Sequence, residues 1–278
     1  MTSRECVIVT GASSGIGAAT ASVLADSGYD VIACARRIDR LNALVSENSA
    51  ITAHHLDITD QKSVDQLVSD LADRKVSVLV NFAGGAFDAS SVLDSDPAVW
   101  TKTYDLNVVG TVRMVKAFTP AMQKHGRGHG HIVIISSTAG HTAYENGGSY
   151  VAAKHAETSL AHTLRLELNG LPIRVTEIAP GMVMTEEFSK IRFGDADRAA
   201  KVYEGVDAPL MAEDVAEAIR WSVTLPEHFN VDSLVIRPVA QAANHKVHRT
   251  KSLLSNDPIF RKGWICCISD AHAGFLGC

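Results

Sequence analysis

The stretch TGASSGIG, residues 10–17, decides the fold expected for this chain. It follows the apolar run CVIV at 6–9, typical of a strand buried on both faces of a parallel sheet, and precedes an alanine-rich segment with helical spacing that ends at Gly28. Glycine lets the backbone approach an anion closely, and the free N–H groups at a helix N-terminus attract phosphate. The stretch therefore predicts a phosphate-binding turn. Its spacing differs from G-x-G-x-x-G, so a plain strand-to-helix turn stays an alternative.

Further apolar runs recur along the chain, and most are separated by amphipathic segments of helical length. Strands are predicted at residues 6–10, 30–35, 51–56, 76–81, 131–136, 173–179 and 233–237. Such alternation builds a parallel sheet with right-handed crossovers. We predict an α/β fold, a doubly wound Rossmann-type parallel sheet in a single domain with helices on both faces. Ligands of such sheets bind beyond the carboxyl ends of the strands.

The composition points to a small-molecule partner. The chain has 278 residues, 46% of them hydrophobic, and a formal net charge of −5, which argues against nucleic acid or an anionic membrane as the main partner. No apolar run approaches the roughly 20 residues of a membrane span, and the first strand begins too early for a signal peptide. Five cysteines without framework spacing predict a cytoplasmic location, with Cys6 and Cys34 in the core.

The end of the second predicted strand indicates which dinucleotide is preferred. An NAD site places an acidic residue here to accept from the ribose 2′-OH, whereas arginine accommodates a 2′-phosphate. This sequence has Arg36 and Arg37, while Asp39 comes late and is expected in the first turn of the next helix. Guanidinium groups bind phosphate in a bidentate way, so the pattern favours NADP(H). The alternative is that both arginines are merely solvated.

Candidate catalytic side chains follow the later strands. Tyr150 and Lys154 are four residues apart in a predicted helix, so they share one face. A neighbouring ammonium stabilises a phenolate, which suits a tyrosine for acid–base chemistry. Ser137, preferred over Ser136, ends the strand at 131–136, where its hydroxyl can donate to a carbonyl oxygen as negative charge develops. Asn107 lies where such a sheet would place a ligand contact or a kink.

Taken in order, TGASSGIG, NFAG, Asn107, SSTAG, YVAAK and IAPG resemble the short-chain dehydrogenase/reductase family over about residues 4–249. The resemblance implies a tetrad of Asn107, Ser137, Tyr150 and Lys154. In this tetrad Tyr150 transfers the proton and Ser137 polarises the carbonyl. Lys154 stabilises the phenolate and holds the ribose, while Asn107 anchors a water that links Lys154 to solvent.

The glycine turn, the paired arginines and the family resemblance together give a set of expected cofactor contacts. These are Gly11, Ser13, Ser14, Gly15, Ile16, Gly17, Arg36, Arg37, Asp57, Ile58, Asn81, Ala83, Gly84, Tyr150, Lys154, Pro180, Gly181, Val183 and Thr185. Phe82 departs from the family's N-N-A-G at its second position, so the role of that position is not carried over.

Two stretches, IRVTEIAPGMVMTEEFSKIRF and WSVTLPEHFNVDSLVIRPVAQ, are similar to NADP-dependent 3-hydroxy acid (serine, allo-threonine) dehydrogenases. This predicts an enzyme that interconverts such an alcohol and its carbonyl form. Substrate contacts are expected from Ser137, Tyr150 and Arg192, with Lys190 as a second candidate cation for a carboxylate and a plain surface charge as the alternative for Arg192. A broader ketone/aldehyde reductase and a non-catalytic nucleotide-sensing scaffold are the alternative functions.

The remaining segments complete the predicted organisation. Residues 1–249 form the catalytic domain, with a lid at about 184–206, and 250–278 form a C-terminal extension of uncertain origin that holds three cysteines. The histidine-rich stretch at 125–131 lacks ligand spacing, so no metal site is expected. The family resemblance implies a homotetramer or homodimer. Small residues on the catalytic helix are consistent with helix packing between subunits, and core packing explains them nearly as well: Ala152, Ala153, Ala156 and Ala161.

Overall fold

A computed structural model describes residues 4–125 and 130–250. Its strands are β1 (Cys6–Thr10), β2 (Asp30–Ala35), β3 (Ile51–His55), β4 (Val76–Asn81), β5 (Gly130–Ile135), β6 (Ile173–Pro180), β7 (Val183–Met184), β8 (Leu210–Met211), β9 (Ser233–Ile236), β10 (Gln241–Ala243) and β11 (Lys246–Val247). Its helices are α1 (Gly15–Asp26), α2 (Ile38–Glu47), α3 (Gln61–Asp70), α4 (Pro97–Tyr104), α5 (Gly110–His125), α6 (Gly148–Glu167), α7 (Phe188–Phe193), α8 (Ala196–Lys201) and α9 (Ala212–Val223). The seven predicted strands are confirmed to within about a residue at each end.

The central sheet has seven strands in the order β3-β2-β1-β4-β5-β6-β9, and every neighbouring pair is parallel. The chain runs outward from β1 to β3, then returns to the other side of β1 at β4. This reversal is the switch point beside which doubly wound sheets bind ligands. The predicted α/β fold is therefore confirmed, as a single Rossmann-type sheet.

Two apolar cores, one on each face of the sheet, hold the layers together. Successive strand residues point to opposite faces, so Val7 and Val9 pack with α1, α2 and α9, whereas Cys6 and Ile8 pack with α3, α5 and α6. Cys6 and Cys34 are buried, as predicted, and burial raises the pKa of the Cys34 thiol. Both faces are thus covered by helices, which explains the nearly continuous apolar strands.

Local sequence signals start several of the helices. The carboxylates of Asp60 and Asp96 accept from the backbone N–H two residues further on, at the first turns of α3 and α4. Pro97 occupies the first position of α4, where a proline N–H is not needed. Asp39 lies in the first turn of α2, as predicted. Helix starts are therefore set by short-range interactions.

The segment predicted as a lid contains α7 and α8, enclosed by the two-residue strands β7 and β8, which pair in parallel. Residues 251–278, nearly all of the predicted C-terminal extension, lie outside the described residues, as do 126–129 of the histidine-rich stretch. In the ranges 4–125 and 130–250, no helix combines the length and the apolar character needed to cross a bilayer. Ala153 and Ala161 on α6 are buried in the subunit, whereas Ala152 is exposed.

Candidate active site

Two adjoining cavities lie at the carboxyl edge of the sheet. The glycine-turn cavity, of about 300 Å³, is lined by residues 13–16 and 34–37 among others. The tyrosine cavity, of about 270 Å³, is lined by Ser137, Tyr150 and Lys154 together with the lid. Both cavities share Phe82, Gly84, Gly85 and lid residues, so a molecule extending through one reaches the other.

The cavities divide most of the predicted site residues between them. The glycine-turn cavity is lined by Gly11, Ser13, Ser14, Gly15, Ile16, Arg36, Arg37, Asp57, Ile58, Ala83, Gly84 and Thr185. The tyrosine cavity is lined by Ser137, Tyr150, Lys154, Pro180, Gly181, Val183 and Arg192. Gly17, Asn81, Asn107 and Lys190 are not among the residues that line either cavity.

The glycines of the turn have different roles. Gly11 and Gly15 have φ angles of +69° and +53°, which residues with side chains rarely adopt. A Cβ atom at Gly17 would collide with the carbonyl group of Gly11, so Gly17 allows α1 to pack against the turn rather than contacting a ligand. The first turn of α1 carries no acidic residue. Its free N–H groups therefore present a positive end to an anion.

Thr10 connects the glycine turn to the end of β4. Its hydroxyl oxygen accepts from the backbone N–H groups of Phe82 and Ala83 at 3.1 and 3.0 Å. The Phe82 ring packs against the turn so closely that a Cβ atom at Gly11 would lie 3.2 Å from it. No sequence signal identified Thr10, whereas the departure NFAG did mark Phe82 as unusual. Both residues shape the passage between the cavities.

Arg37 is bound to groups of the chain itself. Its guanidinium donates to Ser13 at 2.8 Å and Ser14 at 3.1 Å, and it holds both oxygens of Glu187 at 2.6 and 2.8 Å. Hydrogen bonding from Arg37 is the main reason that the pKa of Glu187 falls to about 2. Sequence reasoning missed Glu187, since nothing in the local pattern links it to Arg37. Arg37 and Ser14 therefore form an anion-binding site, in which the bound anion is the carboxylate of Glu187.

Asp57 lies beyond the end of β3 in the same cavity. Burial raises the pKa of its carboxyl, but hydrogen bonds from the hydroxyl and backbone N–H of Thr59, both to Oδ1, outweigh burial and the net shift is downward. Asp57 therefore stays ionised near neutral pH and can act only as an acceptor.

Tyr150 and Lys154 lie on the buried face of α6. Lys154 Nζ donates to the carbonyl oxygen of Ile135 at 2.9 Å, pairs with Glu157 at 2.7 Å and lies 5.7 Å from the Tyr150 ring centroid. Burial lowers the pKa of Lys154, but Glu157 and other nearby anionic groups outweigh it, so the net pKa is raised. Lys154 is therefore a buried ammonium beside the phenol. Sequence reasoning missed Glu157, although its i+3 spacing places it on the same face.

Asn107 lies in the π-helical segment Asp105–Val109 between α4 and α5. Its amide nitrogen donates to the carbonyl oxygens of Gly85 and Thr103 at 2.9 and 2.7 Å, and its oxygen accepts from the Gly85 N–H at 3.1 Å. A Cβ atom at Gly84 would lie 2.6 Å from Asn107 Oδ1 and 3.6 Å from Lys154 Nζ. Asn107 thus holds the loop at Gly84 and Gly85 close to Lys154.

Asn81 is enclosed at the end of β4 rather than facing a cavity. Its side chain is 3% exposed, and within the described part of the chain neither atom of its amide has a hydrogen-bond partner. The structure therefore places the Asn81 side chain in the sheet, and the next residues, Phe82 to Gly85, line the glycine-turn cavity.

The two serines after β5 differ in their partners. Ser136 donates to the buried carboxylate of Glu177 at 2.5 Å, which also accepts from Thr158. Ser137 lies in the tyrosine cavity, where its hydroxyl oxygen accepts from the Ala139 N–H at 3.1 Å and its hydroxyl donates only over a long distance, 3.3 Å, to the carbonyl oxygen of Pro180. Because Ser136 is engaged by a buried charge, Ser137 is the serine that can turn its hydroxyl toward a ligand.

Arg192, on α7, brings a cation into the tyrosine cavity. Its guanidinium lies 5.5 to 5.8 Å from the ring centroids of Tyr144, Tyr150 and Phe193, and Nη2 donates to the carbonyl oxygen of Asn146 at 3.2 Å. Its buried Nε has no hydrogen-bond partner, and no carboxylate pairs with it, among residues 4–125 and 130–250. Arg192 can therefore accept an anion from the cavity.

His131 is the histidine of the histidine-rich stretch whose side chain the structure describes, and it is buried. His131 shares a hydrogen bond of 2.8 Å with the Thr176 hydroxyl, and burial lowers its pKa well below the ordinary value. Over the part of the chain that the structure covers, no group of histidine, cysteine, aspartate and glutamate side chains has the arrangement of a metal site. His131 is thus a packed core residue of β5.

Comparison with known proteins gives consistent matches. The family model described as short chain dehydrogenase matches residues 5–195. An uncharacterized oxidoreductase of Mycobacterium tuberculosis is 48% identical over 87% of this chain and 94% of its own length. The NADP-dependent 3-hydroxy acid dehydrogenase YdfG of Salmonella typhi is 38% identical over 88% and 99%. The closed form of serine dehydrogenase complexed with NADP+ is 37% identical, with a TM-score of 0.82 over 88% of this chain and 100% of that one.

Proposed function

This chain belongs to the short-chain dehydrogenase family, and on that premise we propose that it interconverts a 3-hydroxy acid, or a β-hydroxy amino acid such as serine, with the corresponding carbonyl compound. It is an NADP-dependent oxidoreductase acting on CH–OH groups. The observation that carries the substrate class is Arg192, which lines the cavity that Tyr150 also lines and has no carboxylate partner among the described residues.

The residues of the glycine-turn cavity fit NADP(H). Arg37 and Ser14 already hold a carboxylate, that of Glu187, so this donor set has the chemistry to bind an anion. The N-terminus of α1 suits the pyrophosphate, and Arg36 and Arg37 suit the 2′-phosphate. We assign the adenine contact to Asp57 and Ile58, and the nicotinamide contacts to Pro180, Gly181, Val183 and Thr185. Bound NADP(H) supplies or accepts the hydride.

The chain's own residues handle the proton and the developing charge. In the reductive direction Tyr150 gives its phenolic proton to the substrate oxygen, and in the oxidative direction the phenolate takes a proton from the alcohol. The buried ammonium of Lys154 stabilises that phenolate, and its own raised pKa keeps it charged. Ser137 donates to the same oxygen as negative charge develops there.

Asn107 acts as a positioning residue in this proposal. Its amide hydrogen-bonds to the Gly84–Gly85 loop, and this loop packs against Lys154. Asn107 therefore helps to position the Lys154 ammonium. The water that the family resemblance assigns to Asn107 stays a prediction.

Arg192 binds the acid group of the substrate. A guanidinium matches a carboxylate in a bidentate way, and the surrounding rings exclude water and strengthen the interaction. Lys190, the second candidate cation, is exposed and does not line the cavity. The aromatic lining from Phe188, Phe193 and Tyr203 favours a second candidate function, the reduction of broader ketones or aldehydes.

The test is turnover with matched substrate pairs. NADPH oxidation is followed with 3-oxo acids and with uncharged ketones of similar size, using the wild type and Tyr150→Phe. We expect a preference for the acids, and a fall in kcat of about 10²- to 10⁴-fold in the variant with unchanged NADPH affinity. Equal kcat/KM for acids and ketones would favour the broader reductase, and an active Tyr150→Phe would refute the proposed acid.

The homotetramer or homodimer and the cytoplasmic location stay predictions. Ala152 and Leu166 on α6 are exposed, so that helix has small and apolar side chains available for a second subunit. Light scattering on the purified chain would give the mass in solution, and a monomer would rule out the predicted assembly.

A further inference from the structure

A carboxylate of the chain itself lies in the glycine-turn cavity, against groups that a cofactor phosphate would use. Glu187 lies between β7 and α7, and its oxygens accept from both terminal nitrogens of Arg37 at 2.6 and 2.8 Å. The Ser14 hydroxyl donates to it at 3.0 Å, and Arg40 pairs with it at 3.0 Å. Three donors, Ser14 before α1 and Arg37 and Arg40 at the start of α2, therefore converge on one internal anion.

These donors cannot serve two anions at once. The fork formed by the terminal nitrogens of Arg37 faces Glu187, while the other edge of the guanidinium donates to Ser13 through Nε and Nη2 at 3.3 and 2.8 Å. A guanidinium fork matches carboxylate and phosphate equally in shape. A phosphate that approaches Arg37 must therefore displace Glu187 to obtain the same hydrogen bonds.

We propose that Glu187 is an internal competitor for the cofactor's 2′-phosphate, and that binding of this phosphate releases the segment that carries α7. The inference rests on the proposed use of NADP(H). A phosphate monoester carries about −1.5 to −2 charge at pH 7 and three acceptor oxygens, so it displaces a singly charged carboxylate. A dinucleotide that lacks this phosphate leaves the contact between Glu187 and Arg37 in place.

The contact is linked to the tyrosine cavity through α7. Phe188 follows Glu187 directly, and its ring centroid lies 5.5 Å from that of Tyr150. The same short helix carries Arg192, so a shift of α7 changes the position of the proposed carboxylate-binding group. Hydrogen bonding from Arg37 holds the pKa of Glu187 at about 2, so the contact is complete at neutral pH.

The first test measures phosphate affinity without turnover. The full chain is titrated by calorimetry with 2′,5′-ADP and with 5′-AMP, using the wild type and Glu187→Gln. We expect 2′,5′-ADP to bind about tenfold more tightly to the variant, because a neutral amide competes less for Arg37, while 5′-AMP affinity changes less than about twofold. Glu186→Gln is the matched control, since Glu186 is 63% exposed and reaches Arg40 at 3.5 Å.

Unchanged or weaker binding of 2′,5′-ADP by Glu187→Gln would overturn the inference, and weaker binding would mean that Glu187 orients Arg37 instead. The failure of the proposed NADP(H) function has a different signature, because the wild type would then bind 2′,5′-ADP no better than 5′-AMP.

The second test follows the lid by amide hydrogen exchange over residues 186–193. We expect 2′,5′-ADP, which has no nicotinamide to contact the lid, to speed exchange in the wild type. Glu187→Gln should exchange at the faster rate before any ligand is added. Exchange that does not change with 2′,5′-ADP in the wild type would contradict the release of α7.

Discussion

Arg37 in the glycine-turn cavity and Arg192 in the tyrosine cavity differ in their partners, because only Arg37 is paired with a carboxylate of the described residues. In the glycine-turn cavity Arg37 is held by Glu187, whereas in the tyrosine cavity Arg192 lies among aromatic rings, with no carboxylate partner among the described residues. The difference teaches that a cationic site can be built in two ways. An arginine with an internal partner binds its ligand by exchange, and an arginine without one gains a new ion pair.

Lys154 is an intermediate case between these two. It is buried in the tyrosine cavity, and its counter-charge, Glu157, comes from one turn further along α6 rather than from the lid. The partner is fixed by the helix, so it cannot leave when a ligand binds. A charge that must stay in place during the reaction is therefore paired within its own helix.

The largest effect, on phosphate affinity, is expected from replacing Arg37, the arginine that is paired with Glu187. Arg37→Ala should weaken 2′,5′-ADP binding about 100-fold, because it deletes the guanidinium fork and leaves the Glu187 carboxylate to repel the phosphate. Binding of 5′-AMP should change little, as measured by calorimetry. Arg74→Ala, which removes a distant surface arginine paired with Asp30, is the control. Equal losses for both ligands would break the comparison.

The next effect concerns the arginine without a carboxylate partner. Arg192→Gln should raise KM for a 3-hydroxy acid about 30-fold, since a charged hydrogen bond contributes about 1.5 to 3 kcal/mol, and should leave kcat/KM for an uncharged alcohol nearly unchanged. Steady-state kinetics with Lys190→Gln as the control would check this. The same rise in KM for both substrates would show that Arg192 shapes the cavity rather than binding the acid.

A smaller effect, on the pH profile of kcat/KM, is expected from breaking the pair of Lys154 and Glu157 on α6. Glu157 raises the pKa of Lys154, so Glu157→Gln should lower that pKa and let the ammonium lose its proton at a lower pH. The alkaline fall in kcat/KM should therefore begin at a lower pH than in the wild type. Glu167→Gln, at the exposed end of α6, is the control. If the alkaline limb of the kcat/KM profile does not move, Lys154 does not depend on Glu157 for its charge.

The smallest effect is the acid sensitivity of the unliganded protein. The pKa of Glu187 is lowered to about 2 in the folded chain, so its stabilisation is complete above the ordinary carboxyl pKa and is lost as the pH falls from about 4.5 toward 2. Because the pair is partly exposed, the contribution should stay within about 1 kcal/mol. Thermal melts of wild type and Glu187→Gln should differ at pH 7 and converge as the pH approaches 2. A constant difference would contradict this assignment.

Much of the fold could be predicted because its signals are local. The β-branched runs that form the central strands, the glycine turn and the i, i+4 spacing of Tyr150 and Lys154 all act within a few residues. Ser137 could be chosen over Ser136 from position, and the structure supplies the reason, since Ser136 is bound to Glu177. The cofactor contact predicted for Asn81 followed position as well and stays a prediction, while its side chain lies buried at the end of β4.

The amino-acid sequence was sufficient to predict the α/β class, the strand positions, the use of NADP and the family. Only folding brings together the partners of several polar groups: Arg37 pairs with Glu187, 150 residues away, and Ser136 donates to Glu177. The two kinds of feature differ because they depend on interactions over different separations along the chain. Strand and turn preferences arise from neighbouring residues, whereas a charge is stabilised by whatever lies within a few ångströms after folding, and chain order does not record that distance.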